Sequence, residues 1–166
     1  MNSKLSFLDF LNFFPKIELP MTLGSDTHHV FDQENKPLPE VAIEKYLTPI
    51  VPRKDEFTEY IACFRLPSTD QYHAIVFWQA ALMEYKYVLV TYDLKGTFID
   101  KRIIAGTTSN GKTLLKRVAT IDEDGIVFVA EGEGDLGQHQ YSAEDGRTFH
   151  FEILQTGDIL LMINEN

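Results

Sequence analysis

From Phe57 onward the chain is a succession of strand-like runs separated by turn signals. Eight such runs fit, over residues 57–66, 72–80, 85–93, 97–105, 113–121, 125–131, 147–154 and 158–163. They are rich in β-branched and aromatic residues, and their spacing of roughly a dozen residues is that of antiparallel meanders. Parallel strands would need crossover segments of a dozen residues or more, usually helices, and the intervals here are too short for them. This constrains function as well as fold. Two strings in the region look like nucleotide-binding fingerprints, and in a meander both are hairpin loops.

The patterns within the runs differ. In 147–154, Phe149, Phe151 and Ile153 share one face, while Thr148, His150 and Glu152 share the other, as in a strand with one wet face. Residues 72–80 and 85–90 are apolar on both faces, which predicts cover on both sides. The part before the strands, residues 1–52, offers that cover. Leu5, Leu8, Phe10 or Leu11, and Phe14 recur at helical spacing, predicting a helix over 3–14 that is capped by Ser3 and ended by Pro15. A second helix is expected over Pro39–Leu47, with proline near its start and Pro49 and Pro52 beyond it. Lys16–Pro37 lacks a clear period and reads as loop with a short strand within 16–23.

The turns carry a weak repeat. Asp93 to Gly96, Asp122 to Gly125, and Glu144-Asp145-Gly146 each precede a strand. Aspartate bonds its own backbone at a turn, and glycine supplies the positive φ that re-enters the sheet. Two four-strand units approach the size of propeller blades, but two blades cannot close a ring. The expected fold is one mainly β domain: an antiparallel meander of about eight strands with two short N-terminal helices packed on 57–163. It would form a curved sheet, an open barrel or two stacked sheets.

At 166 residues and 44% apolar composition, such a chain buries about 70% of its unfolded surface and needs no metal or disulfide staple. Asp and Glu number 25 against 15 Lys and Arg, a formal charge of −10. An acidic excess repels nucleic-acid backbones and anionic membranes, so neither is an expected partner. Cys63 is the single cysteine. It lies in an apolar run and reads as a small buried hydrophobe. The N-terminal apolar stretch is broken by Lys4 and Asp9 and resembles neither a signal peptide nor a membrane span. A cytoplasmic location is expected.

Gly106-Thr107-Thr108-Ser109-Asn110-Gly111-Lys112-Thr113 matches the P-loop pattern. There, backbone amides would cradle phosphates, Lys112 would meet the terminal phosphates and Thr113 would hold Mg²⁺. A P-loop, however, opens a helix in a parallel α/β sheet. Ser109-Asn110-Gly111 between two strand runs is instead a hairpin signal, so Ser109–Lys112 is expected to be an exposed connection between neighbouring strands. Gly132, Gly134 and Gly137 match the dinucleotide pattern, but the polar stretch after them is too short for the helix that must receive the pyrophosphate. His28, His29, Asp26 and His73 carry no metal-ligand spacing, and Asp122–Gly125 lacks the ligand alternation of a calcium loop. No cofactor and no catalytic residues are expected. The alternative is a phosphate-ligand enzyme using Gly106, Gly111, Lys112 and Thr113.

The segment Tyr72–Trp78 (Tyr-His-Ala-Ile-Val-Phe-Trp) is followed by Thr91-Tyr92-Asp93, Gly96, Ile99-Asp100-Lys101, Ile103–Thr107 and Val118–Asp124. Together these resemble a family of small, functionally uncharacterised bacterial proteins, over about residues 57–131. The resemblance implies a β-rich domain and no assigned activity, and the lysine of the P-loop-like string is not a family feature. The functional expectation is therefore a non-enzymatic module that binds a protein or peptide partner. Tyr72, Trp78 and Tyr85 are its candidate contact residues. An acidic chain of this size also suits an immunity-type protein that blocks a toxin.

Overall fold

The computed structural model describes residues 5–24, 27–109, 111–135 and 146–163. Nine strands form one sheet: β1 Met21–Leu23, β2 Glu59–Arg65, β3 Tyr72–Ala81, β4 Glu84–Asp93, β5 Phe98–Ser109, β6 Thr113–Ile121, β7 Val127–Asp135, β8 Arg147–Ile153 and β9 Ile159–Ile163. Strands β2 to β9 lie side by side in chain order, and β1 pairs with β6. All the pairings between these described strands are antiparallel. The sheet is not closed into a barrel. The mainly β antiparallel meander is thus the observed architecture, with β1 added from the 16–23 stretch. At the tight turns, Gly96 and Gly125 have φ of 92° and 83°, as the Asp-to-Gly tags require. Asp145 of the third tag lies outside the described residues.

Among the described residues three helices accompany the sheet: α1 Phe7–Leu11, α2 His28–Glu34 and α3 Glu40–Ala42, the last running on into a π-helical turn at Ile43–Leu47. Of the helix expected over 3–14 the described residues form Phe7–Leu11, and Ser3, its expected cap, lies outside them. The start of α1 is set by Ser6, whose side chain accepts from Asp9 N while the Asp9 carboxylate accepts from Ser6 N. This reciprocal cap satisfies two otherwise orphaned donors. Beyond Leu11 the bonds Phe13 N to Phe10 O and Phe14 N to Leu11 O tighten the last turn to 3₁₀ spacing. Ser6→Ala is expected to cost about 1 kcal/mol in chemical denaturation.

Helix α2 was not expected, because its one buried residue, Phe31, gives no period to read. Tertiary contacts hold it instead. Phe31 packs at 5.7 Å from the Phe64 ring, and Asn35 Nδ2 donates to Ala62 O and Cys63 O.

One face of β2–β4 buries Ala62, Phe77, Val88 and Tyr92 against Phe7, Phe10, Leu11 and Leu47 of the helical layer. Tyr92 Oη donates to Tyr46 O at 2.9 Å, and Phe10 stacks on Tyr46 at 4.6 Å. The other face carries Val76, Trp78, Tyr87 and Leu89, which share a second core with Ala119, Val129, Phe149 and Phe151 of β6–β8. Thr91 Oγ1 donates to Gly157 O at 2.6 Å, tying the β8–β9 turn to β4. The β6–β9 half is thereby folded back over the first strands. That two-sided cover is why β3 and β4 have no polar face.

The bend falls in β5. This strand pairs with β4 along its length but with β6 only from Gly106 to Ser109. Its register to β4 shifts where Tyr87 and Val88 face Ala105 and Ile103, so Ile104 is the extra residue of a bulge, which bends a strand. Gly106 follows with φ of 138°. A Cβ there would lie 2.3 Å from Tyr85 O, so no other residue fits without moving backbone.

Candidate functional site

The half of β5 before Gly106 has a strand on one side only. Between this free edge and the β6–β9 half lies a cleft of about 890 Å³, within the size range of ligand sites. Val88, Phe149, Phe151, Leu161 and Ile163 give it apolar walls, and among the described residues Lys86, Lys101, Arg102, Arg117 and Arg147 line it with one carboxylate, Glu131. Five cations to one anion is a local reversal of the −10 charge of the chain.

Register places the charges. Lys86 stands opposite Gly106, Gly106 opposite Arg117, Arg117 opposite Glu131 and Glu131 opposite Arg147. Residues directly opposite in a sheet share a face, so this row crosses β4 to β8 on one side. Arg117 Nε donates to Glu131 Oε1 at 2.8 Å, and Arg147 Nε donates to Glu131 Oε2. Arg117 Nη1 also donates to Ile103 O at 2.8 Å, tying β6 to the free edge of β5. Both guanidiniums lie over the Phe149 ring, at 5.3 and 5.7 Å, within cation–π range. The Glu131 side chain is 6% exposed and that of Arg147 is 69% exposed. Burial alone would raise the Glu131 carboxyl. The hydrogen bonds and charges of Arg147 and Arg117 outweigh it and hold the group below the usual carboxylate range.

At the far end of the cleft, Asp100 and Arg102 clamp β9. Ile159 N donates to Asp100 Oδ2 at 2.8 Å, and Arg102 Nη2 donates to Ile159 O at 2.6 Å. Arg102 Nη1 closes the motif on Asp100 Oδ1 at 2.7 Å. Burial would raise the Asp100 carboxyl, but bonds from Ile159 and Lys101 and the Arg102 charge keep it low. Lys101 Nζ donates to Ile50 O at 2.5 Å, joining the wall to the helical layer.

The aromatics singled out from sequence do not form one patch. Trp78 is 7% exposed and sits in the core. His28 stacks on it at 4.7 Å with an interplanar angle of 1°, and Tyr85 lies 6.1 Å away. Tyr72 is at the other end of β3, opposite Asp93. Burial raises its hydroxyl. Cys63 is fully buried, and burial pushes its thiol well up, the environment of an inert side chain. His73 is bonded to Ser68 Oγ at 2.8 Å. Among the described residues no three His, Cys, Asp or Glu converge. Asp26 lies outside them.

The P-loop-like string spans a hairpin. Gly106–Ser109 ends β5, Thr113 begins β6, and Ser109 pairs with Leu114. Gly111 and Lys112 are exposed, Asn110 lies outside the described residues, and Thr113 opens a strand rather than a helix. Thermal denaturation with ATP or GTP and Mg²⁺ is expected to show no shift, where a ligand at 100 times its Kd would add about 2.7 kcal/mol. Lys112→Ala should remain within about 0.5 kcal/mol of wild type. In the dinucleotide-like string, Gly132 and Gly134 lie within β7, and Gly137 is outside the described residues.

The sequence reading missed Lys86, Lys101, Arg102, Arg117, Glu131 and Arg147. Arg147 was within reach, since it lies two residues before Phe149 and so shares its face. The other members of the row meet only through strand register.

Comparison with family models, curated proteins and solved structures yields no match. Among the described residues no helix is long and apolar enough to cross a membrane.

Proposed function

We propose that the chain is a non-enzymatic binding module that receives a protein or peptide segment in the β5–β9 cleft, working in the cytoplasm. The observation that carries this reading is the lining of the cleft: apolar walls edged by cations in an acidic chain. Apolar contact area with a few placed charges is the composition of recognition sites. Glu131 supports binding over catalysis. It is committed to two arginines and held ionised, whereas a general base is tuned toward the working pH.

Panning a phage-displayed random peptide library against the protein tests the reading, with Arg147→Glu as counter-screen. Enriched peptides should bind wild type and lose about tenfold or more in affinity on the charge reversal, the effect of one charge-assisted hydrogen bond. Absence of enrichment, or binding indifferent to Arg147→Glu, would remove the cleft from consideration.

A further inference from the structure

We infer that the cleft takes its partner as an added β-strand: an extended, acidic peptide segment paired to the free edge of β9. The inference rests on the binding reading above.

Among the described residues strand β9 pairs with β8 alone. The N–H and C=O of Ile159 are bonded by Asp100 and Arg102 of β5, so they point away from β8. Backbone groups repeat their direction every second residue along a strand. Those of Leu161 and Ile163 therefore point to the same free edge, and their side chains line the cleft. Leu161 is 45% exposed and Ile163 is 71% exposed.

The opposite edge of the sheet is finished differently. Asn35 bonds the β2 carbonyls of Ala62 and Cys63, and Arg65 N donates to Pro15 O. Sheets normally cover or charge their edges in this way. The uncharged run of β9 has neither device beyond Ile159 among the described residues. It has the character of an edge built for strand addition, where backbone bonds give affinity and alternate side chains give specificity.

Charge selects the occupant. Every second side chain of an added strand points into the cleft, where Arg117 and Arg147 share one carboxylate. An apolar guest side chain meets Leu161 and Ile163, and a guest Glu or Asp faces the cations of the cleft lining. A second copy of this chain pairing through β9 would bring only the uncharged run Ile159–Ile163 to a cleft whose described lining carries five cations and one carboxylate. The Asp100–Arg102 clamp marks where the added strand ends.

The probes are fluorescein-labelled peptides of alternating Val and Glu, their Val–Lys counterparts, and Val–Glu peptides N-methylated at alternate amides. Binding is read by anisotropy and by hydrogen exchange of the Leu161 and Ile163 amides. Saturable binding of the Val–Glu peptide is expected, about tenfold or more tighter than Val–Lys. N-methylation and Ile163→Pro should each weaken it by a similar factor, and exchange at both amides should slow. Equal binding of Val–Glu and Val–Lys overturns the acidic selection. A panned peptide that binds without slowing those amides, and is indifferent to N-methylation, overturns strand addition while the cleft remains a binding site. No binding by any peptide, panned or designed, removes both readings. Self-association in ultracentrifugation that slows the two amides without peptide makes a second copy the occupant and overturns the inference.

Discussion

Gly106→Ala is expected to destabilise the protein by about 3 kcal/mol or more, at the severe end of single substitutions. The added methyl would sit 2.3 Å from Tyr85 O and 2.7 Å from Lys86 Cα. Both are backbone atoms of the neighbouring strand, so no side-chain rotation relieves the clash. The φ of 138° adds strain for any L side chain. The position also lies where the sheet bends, so relief requires the β4–β5 pairing to open. Gly111→Ala in the same string is the control. Its φ is 94°, but nothing lies within 4 Å of an added Cβ, and the cost should be only the roughly 1–2 kcal/mol of left-handed backbone. Urea titrations of both variants check the pair, and a Gly106→Ala midpoint close to that of Gly111→Ala would disprove the close approach. A loss of nucleotide response in a Gly106 variant would accordingly say nothing about phosphate binding.

Glu131→Ala is expected to cost about 2 kcal/mol at neutral pH. Removing one member of a buried pair leaves charge uncompensated. The figure is set below the usual range because Arg147 is largely exposed and solvent takes over its charge. Arg117 keeps Ile103 O and the Phe149 ring but no carboxylate among its described partners. The effect depends on pH with a defined sign. The folded carboxyl lies below its ordinary value of 4.5, so its stabilisation is fully present above that value. It is lost as pH falls through the folded value. The gap between wild type and Glu131→Ala should therefore hold steady above about pH 5 and narrow in acid. Denaturation midpoints from pH 7 to pH 3 measure it. A gap that stays constant throughout would mean that the carboxylate, as an ion, does not hold the two arginines.

The two predictions test one structural idea from opposite ends. Gly106 lets the sheet bend, and the bend exposes the half-paired edge of β5. Glu131 gathers the arginines that face that edge. The cleft exists because β6 leaves β5 after four paired residues, Gly106 to Ser109, and because the β8–β9 turn returns to Thr91, Asp100 and Arg102.

The sequence by itself determined the strands and their antiparallel order, because β-branched and aromatic runs, the short intervals between them and Asp-to-Gly turns are local signals. Residues 72–80 and 85–90 announced two-sided burial through their lack of a polar face. The hairpin at 109–113 was legible against the P-loop match for the same local reason. Tertiary structure alone decided the rest. Helix α2 has one buried residue and no period, so its contacts with Phe64, Trp78 and the β2 carbonyls specify it. The helix expected over 3–14 takes its start from the cap at Ser6, which apolar spacing does not mark. Trp78, chosen from sequence as a contact residue, lies inside because His28 of α2 stacks on it at the second core. The charged row was invisible for a deeper reason. Arg117, Glu131 and Arg147 are far apart along the chain, and each alone reads as an ordinary surface residue. Strand register brings them opposite one another, and register depends on the pairing of whole strands rather than on any one of them.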